Sequence, residues 1–247
     1  MGNKGETAPA PPTRSRNWMT DIRHFFLHKP EIPTLVRFDS QEERENYSQR
    51  IMQRLQLDVN RFVILNIHQI GINLPVKYVF DELLKWDGDA TCWPNHLARV
   101  NRIDGSLESI RLYPFGWQRY PFNRENGFLG LHYIPLFNLN ARRIQKTPDP
   151  NEMDNARYLL YDCSGGYPIG IFSMYARSPI ASQGEVETSQ VFLVVGFNFY
   201  GREDWSKKRF VHGFWEGIHN RVTSNVMNRF KQLCEWRFQQ IQDKGRF

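Results

Sequence analysis

The stretch Val191-Phe-Leu-Val-Val-Gly-Phe-Asn-Phe-Tyr200 is the most apolar strand candidate in the chain, and an amphipathic pattern follows it almost at once. Val211, Trp215, Ile218, Val222, Val226, Phe230, Leu233 and Ile241 recur at steps of mostly three or four, the spacing that places side chains on one face of an α-helix. A helix from about Ser206 to Gln242 would be roughly 50 Å long at 1.5 Å per residue. It must cross a whole sheet or project beyond one.

Upstream, Arg61-Phe-Val-Ile-Leu-Asn-Ile-His-Gln-Ile-Gly-Ile72 reads as a strand rich in β-branched residues. Asn73-Leu74-Pro75 then opens a helix, with Asn as a cap, Pro in the first turn and Val76, Val79, Phe80, Leu83 and Leu84 as its apolar face. Strands are expected at about Ala98 to Ile103 and Leu107 to Tyr113, joined through Asp104-Gly105, a hairpin signal. Others are expected at Phe128 to Ile144, Arg157 to Cys163, Ile169 to Arg177 and Glu187 to Tyr200. Before them, Ser40-Gln-Glu-Glu43 has capping-box spacing and starts a helix to about Gln56. Successive hairpins exclude a parallel doubly wound sheet and favour an α+β fold.

This order, with Leu74-Pro75-Val76, Val79-Phe80, Leu83-Leu84, Trp93-Pro94 and the strand containing Val100, resembles the START/polyketide-cyclase superfamily. The resemblance covers about Arg61 to Gln242 and implies a helix-grip fold, a curved antiparallel sheet wrapped around a long C-terminal helix. Members of that superfamily commonly hold an apolar or amphipathic molecule between sheet and helix, and only some are enzymes. They share no universal catalytic residue. The expected organisation is a flexible tail at 1–16, an N-terminal extension with one helix at 17–58, and a helix-grip domain at 59–247.

Composition narrows the classes of partner. The 247 residues are 40% hydrophobic and 14% aromatic, enough for a core and for rings that fill it or line a pocket. The net charge of +6 is diffuse, and the short runs Arg142-Arg143 and Lys207-Lys208-Arg209 read as solvated faces, so no nucleic-acid partner is expected. Cys92, Cys163 and Cys234 are widely spaced with no Cys-x-x-Cys pair, which fits reduced packing thiols in a cytoplasmic protein. Aromatic and basic residues interleave from Trp18 to Phe38. That strip either packs its rings on the main domain or makes a membrane-surface or protein contact.

Polar residues on apolar strands are candidates for chemistry. Asn66 and His68 share a strand face with Ile64 and Ile70, and His132 alternates with Gly130 and Ile134; each finds its partner either within the protein or in a ligand. Arg111 and Tyr113 share a face of another strand, and Asp162 is a partner for Arg111 in a structural ion pair. His212, Glu216 and His219 form a stripe with a Glu-x-x-His step, but one copy is not a di-metal site, and no metal or other cofactor is expected. Phosphate-loop, dinucleotide, nucleophile-elbow and His-Glu-x-x-His signatures are absent.

The leading expectation is a non-catalytic pocket for a hydrophobic small molecule such as a lipid, isoprenoid, polyketide or aromatic. The final helix would line it with Trp215, Ile218, Val222, Val226 and Phe230, and the strands with Ile64, Leu131, Tyr133, Phe172, Phe197 and Phe199. His68, His132, Arg111 or Tyr113 would fix a polar end. One alternative is a cyclase, aromatase or dehydratase that moves protons in the same pocket, its catalytic residues unassigned. Another is a scaffold with a solid core that docks through residues 17–38.

Overall fold

The computed structural model describes residues 29–62, 64–85, 99–113, 137–150, 155–164, 169–178, 187–198, 213 and 219–245. The first helix, α1, is Gln41–Arg54. The Ser40 hydroxyl accepts from the Glu43 N–H at 3.0 Å, while the Glu43 carboxylate reaches back to the N–H of Asp39 at 3.1 Å, one residue beyond the usual capping-box partner. Strand β1 is Ile64–Ile72, and α2 is Val76–Leu83. Pro75 occupies the N-cap position without a side-chain cap, and the free N–H of Val76 is satisfied from a distance by the Glu187 carboxylate at 3.2 Å.

Strands β2 (Arg99–Arg102) and β3 (Ser109–Tyr113) follow. Asp104 and Gly105 between them both have positive φ, 58° and 71°, the left-handed pair that a turn of Asp-Gly type requires. Strands β4 (Phe137–Gln145), β5 (Arg157–Ser164), β6 (Ile169–Arg177) and β7 (Ser189–Asn198) complete an antiparallel sheet of order β1-β7-β6-β5-β4-β3-β2. The closing helix, α3, is Asn220–Lys244, about 37 Å long by its residue count. Residues 206–212 and 214–218 of the expected helix, with Val211, Trp215 and Ile218, lie outside the described residues, as do the expected strand residues 128–136. This is an α+β, helix-grip arrangement, an antiparallel sheet packed against the C-terminal helix.

Both faces of the sheet are covered. On the concave face, Val226, Met227, Phe230 and Cys234 of α3 and Val76, Val79, Phe80 and Leu83 of α2 pack against Ile70, Ile72, Leu139, Leu159, Met174, Val191 and Leu193. On the opposite face, Ile51, Met52 and Leu55 close over Leu65, Ile67, Tyr158, Leu160, Tyr175, Phe192 and Val194. The narrow apolar stripe of α1 therefore builds a second core, because β1, β5, β6 and β7 carry large side chains at alternate positions on both faces. The far end of α3 leaves the sheet. Ile241, expected on its apolar stripe, is 58% exposed.

Between the helices, Glu82 of α2 is 2% exposed and binds both Lys85 and Arg237, the latter at 2.6 Å. It ties α2 to α3 through a buried carboxylate, beside the edge-to-face contact of Tyr78 and Phe238.

Candidate functional site

Two polar clusters touch the concave face. The first sits where the extension, β1 and α3 meet. Thr34 Oγ1 lies 3.0 Å from His68 Nδ1 and 2.9 Å from Ser224 Oγ, while His68 Nε2 lies 3.1 Å from Asn220 Oδ1, which also accepts from Asn66 Nδ2 at 3.0 Å. The directions are consistent. Ser224 donates to Thr34, Thr34 donates to Nδ1, and the neutral ring donates through Nε2 to Asn220. Asn228 holds the extension one turn further on, accepting from the Ile32 N–H at 3.1 Å and donating to its carbonyl at 2.7 Å.

His68 is completely buried, and its ring stands edge-on to His219 with centroids 6.4 Å apart. Burial pushes the His68 pKa down to about 4, opposed by the hydrogen bond to Asn220. Burial and the neighbouring His68 push His219 down to about 3. Both imidazoles are neutral at pH 7. Of the two partners open to His68 and Asn66, the structure supplies the internal one.

The second cluster lies toward the other end of the sheet. Asn66, Val195, Phe172, Tyr161 and Ala141 are in register across β1, β7, β6, β5 and β4. The next row brings Ile64, Phe197, Gly170, Cys163, Leu139, Ile110 and Arg102 into line. Here the concave residues Ala141, Cys163, Gly170 and Phe172 are only half-buried, whereas Leu159, Met174 and Leu193 under α3 are buried. Two of them, Ala141 and Cys163, carry small side chains, while the space where a Gly170 side chain would stand is taken by the Gly196 carbonyl and Phe197.

The Tyr161 hydroxyl is buried on this face and has no hydrogen-bond partner among the described residues. Burial raises its pKa, opposed by the Arg102 guanidinium nearby, so it is a neutral donor. Arg102 also donates to the Leu84 carbonyl at the end of α2. Burial, with Asp162 adding to it, lifts the Cys163 thiol to about 12, so it is not a nucleophile at neutral pH.

Several expected site residues are elsewhere. Arg111 is exposed, on the opposite face of β3 from the buried Ile110, because side chains alternate along a strand. Asp162 pairs with Arg142 instead, through contacts of 2.6 and 3.1 Å, since a bulge between Ala141 and Arg143 turns Arg142 toward it. Val226 and Phe230 are buried in the concave core and Val222 is half-buried, while Ile64 and Phe197 form a small cluster with Val195. Leu131, His132, Tyr133, Phe199, Trp215, Ile218, His212 and Glu216 and the side chain of Tyr113 lie outside the described residues.

Among the described residues no group of His, Cys, Asp and Glu is placed to hold a metal ion, and no helix is long and apolar enough to cross a membrane. Nor do they assemble a His–Tyr–carboxylate set. His68 and Tyr161 stand three strand spacings apart, roughly 14 Å, and Asp162 faces the other way. Tyr161 was not singled out from sequence as a site residue. The signal was its place between Leu159 and Cys163 on one face of a strand.

No family model matches this chain, and no curated protein does. Among solved structures it is similar to an uncharacterized protein from Bacillus thuringiensis, with 11% identity and a TM-score of 0.35 over 66% of this chain and 99% of the other. It is also similar to a polyketide-cyclase-like protein from Corynebacterium glutamicum, solved by NMR, with 12% identity and a TM-score of 0.32 over 72% and 92% of the two chains.

Proposed function

We propose that this domain binds an apolar or amphipathic small molecule between the β4–β6 end of the concave face and the C-terminal helix. One observation carries the reading: the Tyr161 hydroxyl, buried on that face with no partner among the described residues. A buried donor without an acceptor costs on the order of 1–3 kcal/mol, so a ligand carbonyl, hydroxyl or carboxylate would recover energy there. The small, half-buried side chains of Ala141 and Cys163 lie next to it in the sheet, with Phe172, Leu139 and Ile110 as apolar neighbours. Burial of hydrocarbon at roughly 25 cal/mol per Å² would supply the affinity, and Tyr161 the orientation.

The reading is tested by native mass spectrometry of the freshly purified protein, followed by uptake of the fluorescent probe N-phenyl-1-naphthylamine. A stoichiometric apolar adduct, or probe uptake that Ala141→Phe abolishes while the fold is retained, is the expected result. A clean mass together with no uptake would overturn it. Tyr161→Phe sharpens the test: it should weaken ligands that carry an acceptor and leave a pure hydrocarbon unaffected.

A further inference from the structure

A separate cleft lies on the outside of the sheet, where the extension parts from β1. β1 is the edge strand, and residues 34–36 pair with it through a single bridge, Leu35 opposite His68, with Val36 N–H donating to Ile67 O at 3.0 Å and Gln69 N–H to Thr34 O at 2.8 Å. Beyond Val36 the chain turns away to start α1. The gap between residues 36–41 and the Leu65–Ile67 edge is a cleft of about 840 Å³, closed at one end by the start of α3.

The charge around it is one-sided. Lys29, Arg37, Arg44 and Arg221 line the cleft against one carboxylate, Asp39. Among the described residues Lys29 and Arg37 have no ion-pair partner, and the Arg44 guanidinium makes a 3.4 Å contact with the Leu65 carbonyl. Some basic side chains elsewhere are in ion pairs, as in Arg142 with Asp162 and Arg237 with Glu82, and others such as Arg50 and Arg111 are not, so what marks the cleft is four basic side chains gathered around one carboxylate. Its apolar lining is the half-buried Leu35, Val36 and Phe38, backed by the edges of the buried Leu65 and Ile67.

We propose that this cleft binds a short, extended acidic segment of a partner protein. An extended peptide can run beside the edge of β1, seat apolar side chains against the half-buried Leu35, Val36 and Phe38, and present carboxylates to Lys29, Arg37 and Arg44. A flat bilayer surface does not enter a cleft between two chain segments, so the shape favours a peptide over an anionic membrane. The N-terminal 28 residues do not suit it by charge, since they carry four basic and two acidic side chains. The cleft borders the polar cluster through Asn66, Asn220 and Ser224 but is distinct from the β4–β6 end of the concave face, so the proposal stands apart from the small-molecule reading.

The test is fluorescence anisotropy of the full chain with a dye-labelled peptide of alternating Asp or Glu and Val. Saturable binding that weakens with salt is expected. The double variant Lys29→Glu/Arg37→Glu should weaken it at least tenfold, because neither side chain supports the fold. The double variant Lys77→Glu/Lys146→Glu changes net charge equally at another surface and should leave binding within twofold. Equal weakening by both double variants would reduce the effect to overall charge and overturn the proposal. So would absence of binding in the unaltered protein, or phosphatidylserine vesicles binding in place of the peptide. A thermal melt of each variant confirms that it is folded, and Arg37→Gln alone gives a milder second reading.

Discussion

The buried His68 gives the sharpest prediction. Its pKa falls from 6.5 in an unfolded chain to about 4 in the native state, because burial disfavours the imidazolium. A group with a depressed native pKa leaves the unfolded state holding more protons as the pH drops below 6.5. Its stabilising effect is therefore complete above that value and is lost on acidification, until the native ring also protonates near 4. Between pH 7 and pH 5 the difference in proton binding amounts to about 2 kcal/mol lost from this one residue. In His68→Gln the amide still has a donor and an acceptor for Asn220 and Thr34, but nothing to titrate. Urea unfolding at both pH values, for the unaltered protein and the variant, measures the difference. The unaltered chain should lose about 2 kcal/mol more than the variant. Parallel losses would show that the ring is not held neutral and would refute the assignment of the Thr34–His68–Asn220 network.

Two further outcomes follow from packing. Arg237→Met should cost more than Glu82→Gln, about 2–4 kcal/mol against a smaller loss, because the first leaves a 2% exposed carboxylate with Lys85 alone, whereas the second leaves side chains that reach water; chemical denaturation giving the reverse order would be inconsistent with a buried carboxylate. Gly170→Ala should cost about 3 kcal/mol or more, or abolish soluble expression, since its Cβ would collide with the Gly196 carbonyl and lie 2.6 Å from Phe197 Cα, both backbone atoms that cannot rotate away. A melt within a degree or two of the unaltered protein would show that the β6–β7 spacing is looser than described.

The parts of the fold legible in the sequence are those set by neighbours in the chain. Ser40 and Glu43 cap α1 because their side chains reach backbone groups within one turn. Asp104 and Gly105 take positive φ because few other residues do so cheaply. Alternation along Ile169–Arg177 gives a strand with the boundaries expected from its flanking turns. The candidate site was less legible. Arg111 and Asp162 are compatible in charge, yet strand alternation sends Arg111 outward and the bulge in β4 gives Asp162 to Arg142.

What the sequence by itself determined is the alphabet of elements and their order: an apolar strand followed by an amphipathic helix, hairpins before them, and hence an α+β fold, the grip of the sheet on the helix being what the family resemblance implied. Periodicity carries that information, because 3.6- and 2-residue repeats are local properties. Only the tertiary structure decided which faces meet. The stripe of α1 says that the helix docks somewhere, but not that it closes the second face of the sheet. His68 needs a partner, but Thr34 lies 34 residues away and Asn220 lies 152 away. Tyr161 looks like any aromatic strand residue until its hydroxyl is found buried without an acceptor among the described residues. Such pairings depend on strand order and on how α3 lies across the sheet, where one geometry must satisfy all the contacts together, and no local stretch of sequence encodes that geometry.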